Sequence, residues 1–153
     1  MSQTDADAAA LLLDNQLCFK LYAASRAVMR GYKPMLDALG LTYPQYLVML
    51  VLWEWQSQPP AQPTVKALGE RLQLDSGTLT PLLKRLEQSG LLRRQRSSRD
   101  EREVHLALSE AGTALREQVL PLRQALICQL GMAGDDLPAL RAGLERLLQQ
   151  LQA

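Results

Sequence analysis

Between residues 76 and 108 the spacing of apolar side chains changes from a helical to a strand pattern, and this switch limits the available folds more than any other feature. Up to Gly90 the leucines recur at three- and four-residue steps, as Leu79, Leu82, Leu83 and Leu86. Beyond it Val104, Leu106 and Leu108 alternate with Glu103, His105 and Ala107. A period of about 3.6 lays one stripe of a helix on a core, whereas a period of two lays down one face of a strand. Residues 91–96 and 103–108 therefore form an expected hairpin around "SSRDER". One hairpin among helices is not the βαβ alternation of thioredoxin-like enzymes, so a thiol peroxidase is the remote reading and no enzyme is expected.

The rest of the chain reads as helix. Residues 11 to about 38 carry Leu13, Leu17, Leu21, Ala24 and Val28 at helical steps, until "LGLTYPQY" interrupts them. Thr42 can cap a second helix from about Pro44 to Gln56, and "SQPPAQP" is a loop. Thr64 opens a short third helix; a fourth runs from about Ser76 to Ser89, stopped by Gly90. Ser109 caps a fifth with Leu115, Val119, Leu122, Leu126 and Leu130 on one face, and Leu137, Leu140, Leu144, Leu147 and Leu151 form a seam on a sixth. The expected fold is mainly α, an α+β winged helix-turn-helix of about six helices plus a two-stranded wing. The terminal seam suits helix association.

A length of 153 residues, 47% of them hydrophobic, fits one domain or a subunit that shares its core. No run of 18 uncharged apolar residues appears, and "MSQTDADAAA" is acidic where a signal peptide is basic. The cytoplasm is the expected location, with no membrane partner. There Cys18 and Cys128 are free, redox-active or incidental rather than a constitutive staple. They lie 110 residues apart, unlike a C-x-x-C pair, and His105 is the single histidine, so no metal or cofactor is expected.

The net charge of +1 hides an asymmetry: residues 64–108 hold nine Lys/Arg against six Asp/Glu. Much of the excess borders the fourth helix. Its leucines cluster within roughly 100° and must face the core. The opposite face carries Gly77, Thr80, Pro81, Lys84, Arg85 and Gln88, suited to base edges and phosphates in a major groove, with Ser76 and Thr78 near the helix start. Taking Ser76 as the cap, Pro81 costs a helix hydrogen bond and predicts a slight bend or a shifted start. In the hairpin, Arg96, Arg99 and Arg102 suit a minor groove, and Asp100, two residues from Arg102, projects to the same side of a strand and can orient it.

The stretch "LDSGTLTPLLKRLEQSGLLRRQRSSRDEREVHLALSEAG" resembles the winged-helix core of the MarR family: a leucine-rich recognition helix, L-E-x-x-G, D-x-R in the wing and a capped helix with Gly. "GTLTPLLKRLE", with its proline, is similar to the branch of organic-hydroperoxide-responsive repressors. The resemblance spans roughly residues 15–150. It implies a homodimer on a pseudo-palindromic operator in double-stranded DNA. The expected division is a flexible stretch at 1–10 and a single domain at 11–153, with dimerisation helices at 11–57 and 110–153 and the DNA-binding region at 62–109.

Cys18 admits two readings from the residues alone, a small core side chain or a reactive thiol. In the resembled branch a reactive cysteine in the first helix is accompanied by two tyrosines, and Cys18, Tyr32 and Tyr43 stand in the matching places. Tyr32 lies 14 residues beyond Cys18, about 21 Å along an ideal helix at about 1.5 Å per residue, so the two cannot touch within one straight helix. A two-fold partner can supply Tyr32 and Tyr43, in line with the resemblance. Cys128, beside Leu126 and Ile127, is plain core or, as in the two-cysteine subclass, a resolving thiol that captures the sulfenic acid as a disulfide to the other subunit. The competing function is a MarR-type repressor that answers to a small aromatic ligand and whose cysteines are incidental.

Overall fold

The computed structural model describes residues 9–98, 100, 102–131, 134 and 136–152, so the expected 1–10 stretch and Arg99 fall largely or wholly outside it. Among these residues are six α-helices and one two-stranded antiparallel sheet: α1 (Leu17–Leu39), α2 (Tyr43–Ser57), α3 (Val65–Leu72), α4 (Ser76–Gln88), β1 (Leu92–Arg96), β2 (Val104–Leu108), α5 (Glu110–Gln129) and α6 (Leu137–Gln152). None of them is long and apolar enough to cross a membrane by itself. The chain divides into two compact units, residues 34–124 and the remainder, and α1 and α5 each run through both.

In the 34–124 unit, α2 is the central helix. Thr42 caps it reciprocally with Gln45, and Pro44 sits in its first turn, where no N–H is needed. Tyr46, Val48, Met49, Leu52 and Trp53 are buried along it. Trp53 Nε1 donates to the Gly112 carbonyl at 2.8 Å, fixing the first turn of α5 by a buried bond of about 1 kcal/mol net. Thr64 caps α3, and Leu68 is fully buried against the same core. On α4, Leu79, Leu83 and Leu86 are each 1% exposed, and their burial stabilises the helix's seat by about 1.5–3 kcal/mol apiece.

The wing leaves α4 through Ser89, Gly90 and Leu91, with Gly90 at φ +73°, a left-handed angle that favours glycine. Leu92 pairs with Leu108 and Arg96 with Val104. Leu92 and Leu106 point into the core, and Leu106 N–H donates to the Pro63 carbonyl at 2.8 Å. His105 bridges to Thr64, and the single histidine is half-buried. Ser109 Oγ donates to the Gly90 carbonyl and accepts the Gly112 N–H, which ties the end of the wing to the start of α5.

The other unit contains the N-terminal turns, most of α1, the end of α5 and α6. The first helix does not begin at residue 11. A 3-10 turn spans Leu13–Asn15, Gln16 is extended, and α1 starts at Leu17. Asn15 and Gln16 explain the break: their side-chain amides donate to the carbonyls of Ala9 and Ala10, competing with a continuous helix. Gly31 lets Leu130, the residue after α5, come close, since a Cβ there would stand 2.5 Å from Leu130 Cδ2. Along α6, Leu140, Leu144, Leu148 and Leu151 remain exposed, as do Leu11, Leu12, Leu13 and Leu17 at the other end of the chain.

Candidate DNA interface and thiol sites

Asp75, not Ser76, caps α4: its carboxylate accepts the Thr78 N–H at 2.9 Å and the Thr78 hydroxyl at 3.1 Å. The bond from the Thr78 backbone, then that from its hydroxyl, holds the Asp75 carboxyl below the usual range. The shorter side chain of Ser76 is thereby displaced from the cap, and the helix starts one residue early. It also runs through Pro81, which lacks the N–H that would reach the Gly77 carbonyl.

The face expected to read DNA is open to solvent: Ser76, Gly77, Thr78, Thr80, Pro81, Lys84, Arg85 and Gln88 are all exposed. Local bonding refines what it can do. Thr78 commits its proton to Asp75, and Thr80 Oγ1 donates to the Ser76 carbonyl at 2.7 Å. With both protons committed, the two oxygens keep only acceptor capacity, which suits the exocyclic amines of cytosine or adenine rather than acceptor edges. Beside this face a groove of about 890 Å³ opens toward the wing, and Ser76, Thr80 and Arg102 line it together with Lys66 and Arg94. Arg96 is exposed at the end of β1.

Asp100 and Arg102 lie in the loop between the strands rather than on a strand. The Asp100 carboxylate holds the Arg102 backbone N–H at 2.9 Å, while Glu103 N–H donates to the Asp100 carbonyl at 3.0 Å. Asp100 thus shapes the turn that carries the arginine, because the chain has left the pleat that would have aligned the two side chains. Arg102→Ala is expected to weaken binding to a duplex selected from a random pool by the wild-type protein. It should also flatten the plot of log affinity against log salt by about 0.9, one phosphate contact. Asp100→Ala should lower affinity similarly by releasing the turn; unchanged binding by both variants would remove the wing from the interface.

The thiol residues lie elsewhere. Cys18 is the second residue of α1 and exposed, and Cys128, near the end of α5, is exposed rather than core. Tyr32 is half-buried on α1, about 21 Å of helix from Cys18 at about 1.5 Å per residue, so the two are not brought together within the chain. Tyr43 opens α2, in the other unit, with its ring centroid 6.3 Å from that of Tyr46. Tyr22 and Arg26, which belong to no sequence motif, continue the Cys18 face at four-residue steps. Arg26 Nη1 donates to Tyr22 Oη at 2.7 Å, with the guanidinium 5.4 Å from the ring centroid. The Glu87–Arg94 ion pair likewise has no signal in the residue pattern.

A short helix, a turn and a second helix with a polar, basic outer face, followed by a two-stranded wing, define a winged-helix DNA-binding protein. The family described as transcriptional regulator SarA/Rot matches residues 30–119. The Organic hydroperoxide resistance transcriptional regulator of Bacillus subtilis (strain 168) is 49% identical over 139 residues, 91% of each chain. The structure of reduced AbfR bound to DNA superposes with a TM-score of 0.79 at 36% identity over the whole of both chains. The structure of disulfide-formed AbfR does so with 0.66 at 36% identity, over 97% of this chain and 98% of that one. The chain belongs to the SarA/Rot and MarR-type winged-helix transcriptional regulators, and it is a DNA-binding regulator of transcription rather than an enzyme.

Proposed function

We propose that the protein is a cytoplasmic homodimeric repressor that senses organic hydroperoxides through Cys18. The observation that carries this reading is the pair of exposed thiols in the helical unit, outside the DNA-reading elements. The Cys18 thiolate attacks one peroxide oxygen and the O–O bond breaks. The alkoxide takes a proton and leaves as alcohol, and Cys18 becomes sulfenic acid. The partner's Cys128 thiol then attacks that sulfur, water departs and a disulfide joins the subunits. The partner's Tyr32 and the partner's Tyr43 donate hydrogen bonds to the Cys18 thiolate, and Leu17, Phe19 and Leu21 favour an organic peroxide.

Three features support the dimer and the cross-subunit bond. Leucines exposed on α6 and at the N-terminal end of a single chain call for an apolar cover. Leu130 packs at Gly31, thirteen residues and about 20 Å of helix beyond Cys18, and Cys128 lies two residues before Leu130, so closure between chains is favoured over closure within one. The relatives include a protein named for organic hydroperoxide resistance and another solved both reduced on DNA and with a disulfide formed.

The test titrates the DNA-bound protein with an organic hydroperoxide. Wild type is expected to leave the selected duplex, to run as a covalent dimer on a non-reducing gel and to rebind after dithiol treatment. Cys128→Ser should form no covalent dimer and, under excess peroxide, should pass to sulfinic and sulfonic acids that dithiol does not reverse. A monomeric oxidised band containing an internal Cys18–Cys128 bond would overturn the cross-subunit step. Release by a small aromatic acid but not by peroxide would replace the whole reading with ligand sensing.

A further inference from the structure

Glu87 lies in the last turn of α4, and the wing takes up its carboxylate. Oε1 accepts the Arg94 backbone N–H at 2.9 Å, while Oε2 accepts Nε and Nη2 of the same residue at 2.9 and 2.7 Å. Arg94 pairs with Leu106 in the hairpin, and Leu106 N–H is spent on Pro63, so both N–H groups of this pair point away from each other. Glu87 therefore satisfies an outward N–H and a guanidinium together. The Arg94 guanidinium holds the Glu87 carboxyl below its usual range. Arg94 is half-buried and lines the same groove as Ser76, Thr80 and Arg102, whereas Arg93 and Arg96 are exposed.

We propose that Glu87 is a positioning residue for sequence reading: it locks the wing to the recognition helix and withholds the Arg94 guanidinium from DNA phosphates. Only three residues join α4 to β1, and one is Gly90, so the carboxylate is a second tether seven residues from the arginine it holds. With it in place, the acceptor face of α4 and the wing cation Arg102 approach DNA as one body. Without it, Arg94 becomes a mobile cation that binds any phosphate, and affinity rises where discrimination falls. The pair is about one-third exposed, so its removal should register in DNA reading far more than in stability.

The experiment measures binding of full-length Glu87→Gln, which keeps the side chain's shape, to the selected duplex and to a scrambled duplex of the same composition across a salt series. The expected result is a loss of about tenfold or more in the selected-to-scrambled affinity ratio, the cost of about one mismatched base pair. The salt slope on the scrambled duplex should steepen by about 0.9, one added phosphate contact. Adding Arg94→Gln to Glu87→Gln should return the salt slope on the scrambled duplex to the wild-type value, because the freed cation is gone. An unchanged ratio in Glu87→Gln, or a double variant that keeps the steeper slope, overturns the proposal. The inference rests on α4 and the wing being the reading elements. If Lys84→Ala and Arg102→Ala also leave binding unchanged, that assignment has failed; if they weaken it and Glu87→Gln leaves the ratio alone, the lock alone has failed.

Discussion

Cys18→Ser protein is expected to bind the selected duplex as wild type does and to remain bound when an organic hydroperoxide is added. Cys18 is exposed on α1, in a different stretch of chain from α4 and the wing. The serine hydroxyl is close to the thiol in size, and helix α1 should form as before. Its oxygen, however, is not ionised near neutral pH and has no vacant oxidation step comparable to thiol to sulfenic acid. In wild type, peroxide should weaken DNA binding by roughly tenfold or more, within the usual range of coupling between a sensing site and a binding site. In the variant the ratio of affinities before and after peroxide should stay near one. A Cys18→Ser protein that still leaves DNA on peroxide treatment would show that oxidation acts at another residue, and the sensing scheme would have to be rebuilt around it.

The largest loss of stability is expected from Gly112→Ala. A Cβ built there would overlap the Leu91 carbonyl oxygen and stand 3.0 Å from the Leu91 carbonyl carbon. Neither partner can step aside cheaply. The Leu91 carbonyl accepts the Ser109 N–H at 3.1 Å, and the Gly112 carbonyl accepts Trp53 Nε1 at 2.8 Å, so separating the chains breaks bonds on both sides of the contact. Overpacking against backbone should cost about 3 kcal/mol or more. At fixed protein concentration that corresponds to a fall of about 6–12 °C in Tm for a domain of this size. Gly143→Ala on α6 is the control: the nearest heavy atom outside its own backbone is Arg146 Nη2 at 3.9 Å, and alanine there should be neutral or stabilising. Equal Tm values for wild type and Gly112→Ala would refute the close approach.

Glu87 and Asp75 also carry a pH signature. Both carboxyls titrate below their ordinary values in the folded chain, Glu87 because of Arg94 and Asp75 because of Thr78. Their contribution is present above the unfolded-state pKa and is lost as pH falls through the lower folded one. At neutral pH both are ionised, and α4 keeps its cap and its tie to the wing.

The elements and the faces they bury follow from the residues alone. The period switch after Gly90, the caps at Thr42, Thr64 and Ser109, and the leucine stripe of α4 all act within a turn or two of helix or along one strand, where bonding partners are close neighbours in the chain. Local competition was harder to weigh: Asp75 displaced Ser76 as the cap, and two side-chain amides delayed the start of α1. Which side chains meet across the fold depends on the packing of distant segments. No local signal says that Gly112 and Gly31 pack against other segments while Gly40 has open space where a Cβ would stand. The same holds for Glu87, whose motif spacing marked a helix end but not the arginine it would hold, and for Thr80, whose proton went to a backbone carbonyl. Periodicity and caps are properties of one segment, whereas close approach and the direction of a hydrogen bond depend on where the chain has placed a second one.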